Sequence, residues 1–258
     1  MGILRFNPGG QIIGFEEKAQ ADRLTEMRTS APAHSPAGLL APDKPFLASM
    51  GVYVFSRDVL YDVLERNRAV DFGREIIPQA LDTHRVHAYL YRGYWADVGT
   101  VPAFYDVNLM LTRRAAPFDF FHPRRPIYTR PRFLPPVRLH DCHVDEALVA
   151  EGAYLDRCEV TSSVVGVRSA IHAGARVSRS VLLGADYYDE QVGTRPPVGI
   201  GKGAVLDRVI VDKNARIGEG ARLVNEAGVE DFDGDGYFIR SGIIIVPKNG
   251  IVKAGTVV

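Results

Sequence analysis

The chain has 258 residues, 46% of them hydrophobic, with Lys+Arg and Asp+Glu both at 31 and a formal net charge of zero. That length allows one or two domains with a real core, and the neutral balance gives no global reason to bind nucleic acid or an anionic membrane, so any anion site must be local. Cys142 and Cys158 fit no metal-ligand spacing and are too few for a disulfide framework; with no signal peptide and no apolar run of spanning length, they favour a reducing cytoplasm.

Residues 3–6 and 11–15 flank Asn7-Pro8-Gly9-Gly10, a turn signal that predicts a hairpin beginning almost at residue 1. Residues 19–45 are rich in Ala, Pro, Ser and charge and read as a loop with room for a helical turn. The dense apolar run 46–55 predicts a buried strand, in which Ser49 and Gly51 leave the backbone approachable. Ser56 can cap a helix to about residue 66, with Leu60, Val63 and Leu64 on one face. Asp71 caps the next, whose apolar stripe is Ile76, Ile77, Ala80 and Leu81. Residues 86–91 predict a strand leading into Tyr94-Trp95-Ala96-Asp97-Val98-Gly99-Thr100. Thr100 can cap a helix to about residue 113, with Pro102 tolerated in its first turn. Asp97 then sits in a loop at a strand end, either as a turn residue or as a carboxylate that meets a ligand.

Between residues 117 and 139, six prolines alternate with Arg124, Arg125, Arg130 and Arg132. A solvated extended connector accounts for this better than a nucleic-acid strip in a neutral chain. Beyond about residue 144 a period of six appears: Val165, Ile171 and Val177; Ile200 and Leu206; Val211, Ile217 and Leu223; Ile251 and Val257. Small residues follow four places later at Ser169, Ala175, Ala204, Ala215, Ala221 and Gly255. Aliphatic-x-x-x-small-x is the hexapeptide pattern of a parallel β-helix, with each aliphatic side chain stacked inside the coil. Spacings of five at Val144–Val149 and Leu155–Val160, and interruptions at 183–198 and 225–242, imply loops that leave the coil.

Gly199-Ile200-Gly201-Lys202-Gly203 has the look of a phosphate loop but lies inside the repeat, where a coil turn explains it. Glu16-Glu17-Lys18 ends a hairpin strand, as a solvated charge cluster or with Lys18 as a point charge for phosphate. His172 occupies a hexad corner with no carboxylate motif to make it a general base.

Taken together, Phe15-Glu16-Glu17-Lys18, the 47–55 run, Asp71-Phe72-Gly73, the 94–100 stretch, Pro126-Ile127-Tyr128-Thr129, Leu183-Gly184-Ala185-Asp186-Tyr187-Tyr188 and Asp212-Lys213-Asn214-Ala215-Arg216-Ile217-Gly218 resemble ADP-glucose pyrophosphorylase, or glucose-1-phosphate adenylyltransferase, over essentially the whole chain. The Gly184–Tyr188 loop and the closing Lys248-Asn249 look most like the branch of photosynthetic organisms. The resemblance implies a partial Rossmann-like α/β nucleotidyltransferase domain (1–116), a linker (117–139) and a left-handed parallel β-helix of hexapeptide repeats (140–258). It also implies a reaction in which glucose 1-phosphate attacks ATP to give ADP-glucose and pyrophosphate, in glycogen- or starch-type α-glucan synthesis. Lys18 would neutralise the sugar phosphate, Glu17 and Ser49 would bind sugar hydroxyls, and Asp97 would hold Mg2+. Lys213 and Lys248 would receive an anionic allosteric activator of the 3-phosphoglycerate type. The resemblance further implies a homo- or hetero-oligomer, a tetramer by family.

Two departures stand out. Ala19 replaces the proline usual after the lysine, which implies a looser turn, and the G-G-x-G-x-R-L loop and upstream metal aspartate of the family are not among the 258 residues. The sequence therefore carries the sugar-phosphate half of such a site. It is expected to act with an ATP-binding half supplied elsewhere, or alternatively as a noncatalytic regulatory or assembly subunit working through its β-helix.

Overall fold

The computed structural model describes residues 2–17, 20–28, 45–65, 69–118, 120–189 and 196–258, which form two compact units, Met1–Asp97 and Val98–Val258. In the first, β1 (Gly2–Phe6) is the centre of an antiparallel sheet, paired on one side with β2 (Ile12–Glu17) and on the other with β3 (Leu47–Ala48). The expected hairpin is present. Its turn is closed by the Asn7 side chain, whose Oδ1 accepts from the amides of Gly9 and Gln11 at 3.0 and 3.1 Å, an Asx-type contact that mimics a backbone turn. A short helix α1 (Ala21–Leu24) and a single 3-10 turn (Thr25–Met27) follow. The larger part of the expected 19–45 loop lies outside the described residues.

The helix α2 (Arg57–Glu65) buries Val63, and α3 (Ile77–Thr83) continues a turn of π-helix at Phe72–Ile76 that buries Ile76. Asp71 caps this turn as expected, accepting from the Arg74 amide at 2.9 Å, and Ile76, Ile77 and Ala80 are all buried. Val63, Ile76 and Ala80 form one cluster with Phe55, Val59, Ala69 and Val86.

Two strand expectations fail here. The 46–55 run is strand only at Leu47–Ala48, and beyond it Val52 and Val54 are exposed, Val54 at 97%. Residues 86–91 make a single antiparallel bridge, His87 to Gln11, with Ile12 and Ala88 donating to Val86 and Gly10 carbonyls, while Tyr89 is 90% exposed. In both cases the apolar composition predicts a strand, whereas a strand needs a neighbour to pair with along its length. Leu64 is likewise exposed, off the buried face of α2.

The second unit is the expected β-helix, of left-handed hexapeptide type, with three mainly parallel sheets of six, five and seven strands among the described residues. The seven-stranded sheet ends in an antiparallel hairpin, Asp231–Asp233 with Phe238–Arg240, built from the 225–242 interruption. Inward residues stack in columns: Leu139, Leu155, Ile171, Ile200, Ile217 and Val252 on one face, Val144, Val160, Val177, Leu206 and Leu223 on the second. Most of these side chains have no exposed surface, and full burial of each contributes about 1.5–3 kcal/mol relative to exposure.

The spacings of five and six have a common geometric cause. A six-residue edge turns at the third residue after the inward aliphatic, as at Gly174, Asn214 and Gly220; a five-residue edge turns at the second, as at Glu146, Arg157 and Arg179, each with positive φ. The corner moves by one residue and the inward column is preserved. The last coil obeys the same rule one residue away from the sequence expectation. Val252 stacks on Ile217 and is fully buried, and Val258 packs against the core, whereas Ile251 is 37% exposed and Val257 71%. Gly255 is then the positive-φ corner and Thr256 the small residue after it.

The helix α4 (Val101–Met110) belongs by its contacts to this second unit. Thr100 caps it as expected, accepting from the Ala103 amide at 3.3 Å. Phe104, Tyr105 and Leu109 cover the outer face of the seven-stranded sheet at Val181, Ile210 and Ile243. The Tyr105 hydroxyl donates to the Arg179 carbonyl at 2.6 Å, and burial pushes its pKa up to about 12. Among the described residues no helix is long and apolar enough to cross a membrane.

Candidate functional site

In the first unit, β1 brings two of the expected sugar-site residues to one end of the sheet. Gly2 is paired in register with Glu17 on β2, and its carbonyl accepts from the Ser49 amide at 2.8 Å just beyond β3. Glu17 and Ser49 therefore flank the same backbone position from opposite sides. Ser49 Oγ accepts from the Gly51 amide at 3.2 Å and lies 3.5 Å from the Tyr53 hydroxyl. The Tyr53 ring stacks on Phe72, with centroids 6.3 Å apart and planes at 17°, and Phe55 meets both. Phe72 leads directly to Gly73. A Cβ on Gly73 would stand 3.2 Å from Glu17 Oε2, so glycine here leaves the room that the carboxylate occupies.

The contacts close a circuit: Gly2, Glu17, Gly73, Phe72, Tyr53, Ser49 and back to Gly2. It combines a half-buried carboxylate, a hydroxyl and an aromatic wall, the set of groups that holds a polar molecule with an apolar face. Tyr53, Phe72 and Gly73 lie in stretches the sequence reading singled out, yet no role for them followed from spacing. Only the fold puts the π-turn against the end of β2.

Lys18, the residue after Glu17, lies outside the described residues. Asp97 lies on an exposed irregular loop at the C-terminal end of the first unit. Among the described residues no three His, Cys, Asp or Glu side chains converge as a metal cage. A single exposed carboxylate fits Mg2+ only in the mode in which phosphate oxygens and water complete the octahedron, which is the common mode for that ion at phosphate sites.

In the second unit, Lys213 and Lys248 are 35 positions apart in sequence and one coil apart in space. Each lies two residues after one of the paired column residues Val211 and Val246, so the coil stacks them at one corner. Both reach the same carboxylate: Lys213 Nζ lies 2.8 Å from Asp186 Oδ1 and Lys248 Nζ 3.2 Å from Oδ2. The two ammonium groups and Asn214 hold the Asp186 carboxyl down to a pKa of about 2. Asn214, buried at a positive-φ corner, fixes the arrangement from beneath, accepting from the Asp186 amide at 2.8 Å and donating to Asn249 Oδ1 at 3.2 Å. The loop carrying Asp186 is anchored further on, where Arg216 pairs with Asp189 at 2.7 Å and donates to the Pro196 carbonyl. The sequence resemblance pointed to the two lysines but gave no reason to name Asp186 as their shared partner.

Among the described residues His172 has no catalytic partner and its buried Nε2 no hydrogen bond, and burial, then Lys202, lowers its pKa. Gly199–Gly203 is a coil edge, as expected for the repeat.

Two family models match the chain: nucleotidyl transferase over residues 1–114, and the GLGC left-handed parallel beta-helix domain over residues 132–257. The chain thus joins a nucleotidyltransferase domain to a left-handed β-helix domain. That pairing supports an ADP-glucose pyrophosphorylase-like family, a group of sugar-phosphate nucleotidyltransferases.

Proposed function

We infer that the chain supplies the sugar-phosphate portion of a glucose-1-phosphate adenylyltransferase. The observation that carries this reading is the circuit that sets Glu17 and Ser49 on either side of Gly2 beside the Tyr53–Phe72 wall. In the proposed reaction a phosphate oxygen of glucose 1-phosphate attacks the α-phosphorus of ATP in line, and the bond to the β-phosphate oxygen breaks to release pyrophosphate. No covalent enzyme group is required, so catalysis rests on positioning and on charge stabilisation. Glu17 and Ser49 would orient the sugar hydroxyls and Lys18 would offset the phosphate charge. Asp97 would hold Mg2+, which when bound neutralises charge on the phosphate oxygens. The family's ATP loop is not among the 258 residues, so the nucleotide portion is proposed to come from an adjoining segment or a partner chain.

Titration of glucose 1-phosphate into the protein by calorimetry tests this reading. Saturable binding that is weakened at least tenfold in Glu17→Gln and in Ser49→Ala supports it; binding of equal strength in wild type and both variants overturns the site.

A noncatalytic subunit is the second reading, favoured by the exposure of the large apolar side chains Val52, Val54, Val70 and Tyr89 on the first unit. A chain that alters the activator response of a complete adenylyltransferase, yet binds no sugar phosphate itself, would support that alternative. On either reading the Lys213–Lys248 corner is proposed to take a phosphorylated anion in place of Asp186.

A further inference from the structure

Cys142 and Cys158, isolated from one another by 16 positions in the sequence, meet in the coil. Each precedes one of the paired residues His143 and Glu159, and the His143 amide donates to the Cys158 carbonyl at 3.0 Å. Parallel neighbours in such a ladder are spaced about 4.8 Å apart, inside the range of Cα separations, about 4.4–6.8 Å, that a disulfide spans. The side chains already touch. The Cys158 thiol donates to Cys142 Sγ across 3.6 Å, and the Cys142 thiol donates to the His140 carbonyl at 3.1 Å. Both are free thiols here.

The two are unequal in a way that orders a reaction. Cys142 is half-buried and open to a reagent, whereas Cys158 is buried in the core, where desolvation pushes its pKa up to about 12. Their position also gives a bond between them a consequence. They join the first coil to the second, and among the described residues the first coil pairs with another coil on one side only, with Leu139 52% exposed at its start. The incoming segment hangs on this coil through Gly152 to Pro135 and Arg138 to Ala153 backbone hydrogen bonds.

We propose that Cys142 and Cys158 form a redox modification site, a reversible disulfide that staples the end coil of the β-helix when the protein meets a low-molecular-weight disulfide. In the first step the Cys142 thiolate attacks one sulfur of the oxidant, forming a mixed disulfide and releasing one thiol. In the second, Cys158 gives up its proton and its sulfur attacks Cys142 Sγ, releasing the second thiol. The two cysteine thiols lose two protons and two electrons, and the oxidant is reduced to two thiols. To form the bond the two sulfurs close from 3.6 Å to about 2.05 Å, with the C–S–S–C dihedral turning to near 90°.

The test is to treat the native chain with glutathione disulfide, then follow intact mass and thermal midpoint, with Cys142→Ser and Cys158→Ala alongside. The wild type is expected to lose two hydrogens, to run as a monomer-sized chain without reductant, to melt several degrees higher, and to revert with dithiothreitol. Cys158→Ala is expected to stop at the glutathione adduct on Cys142, and Cys142→Ser, which keeps a side chain of nearly the same size beside the core, to stay unmodified because Cys158 is buried. A wild type that accumulates the adduct, cross-links only between chains, stays reduced, or closes the bond with no change in melting overturns the proposal.

Discussion

At the scale of single residues, the arrangement around Asp186 sets an intramolecular carboxylate in competition with any anion for Lys213 and Lys248. Replacing Asp186 by Asn keeps the shape and removes the charge. The expected outcome is tighter binding of a phosphorylated effector such as 3-phosphoglycerate, by several-fold, with Lys213→Ala and Lys248→Ala each weakening it; titration calorimetry on the full chain reads all three. Unchanged affinity in Asp186→Asn would mean that the lysines are not an anion site. The same carboxylate makes a pH prediction. Its pKa falls from 3.8 to about 2 in the folded chain, so the stabilisation it brings is present above pH 3.8 and is lost as pH falls through about 2. The difference in thermal midpoint between wild type and Asp186→Asn should shrink over that window. In a complete enzyme carrying this sequence, Asp97→Asn is expected to lower kcat far more than it raises the KM for glucose 1-phosphate. Lys18→Ala should do the reverse, because metal alignment acts in the transition state and a phosphate anchor acts already in the ground state.

At the scale of elements, the corner rule fixes which residue of the last coil faces inward. Val252→Ala is expected to cost about 2 kcal/mol, the transfer of two methyl-sized groups plus part of a cavity, whereas Ile251→Ala should stay within about 0.5 kcal/mol. Denaturant unfolding of the two variants decides the register, and a larger effect at Ile251 would contradict it. The docking of α4 is a second element-level case. Tyr105 is neutral where it is buried, with a folded pKa raised from 10.0 to about 12 by desolvation. Its contribution is complete below pH 10 and is lost as pH rises through about 12. Absorbance of tyrosinate should show one late-titrating tyrosine that returns to the ordinary range in Phe104→Ala if the latter loosens the helix.

For the whole molecule, stability and function are divided differently between the two units. The second is held by columns of stacked aliphatics that run from the first coil to Val252, with each coil contacting its neighbours, so a defect in one coil weakens the stack locally. The first carries the candidate sugar site on a three-stranded sheet and leaves several large apolar side chains exposed. The 258-residue chain by itself is expected to release no pyrophosphate from ATP, glucose 1-phosphate and Mg2+. Turnover at the ordinary enzymatic scale of roughly 1–10³ per second would require ATP to be held by residues other than the family's loop.

The period of six in Val165, Ile171 and Val177, and again in Val211, Ile217 and Leu223, determined the β-helix by itself, because a coil that stacks on copies of itself writes its inward face into the sequence at a fixed interval. Local chemistry was equally legible at the Asn7-Pro8-Gly9-Gly10 turn and at the caps Asp71 and Thr100, where one side chain satisfies backbone amides a few residues away. Residues 46–55 and 86–91 misled because apolar composition reports a preference for burial and is silent on whether a pairing strand is present. Ile251 misled because two adjacent aliphatics, Ile251 and Val252, satisfy the same period, and only the ladder from Ile217 selects between them. The resemblance assigned Glu17 and Ser49 to one site and Lys213 and Lys248 to another, but the contacts themselves come from tertiary structure: Gly2 between Glu17 and Ser49, Asp186 between the two lysines, and Cys142 against Cys158. In each, the partners are at least 16 residues apart and become neighbours through strand pairing or coil stacking, a distance over which no local pattern in the sequence carries information.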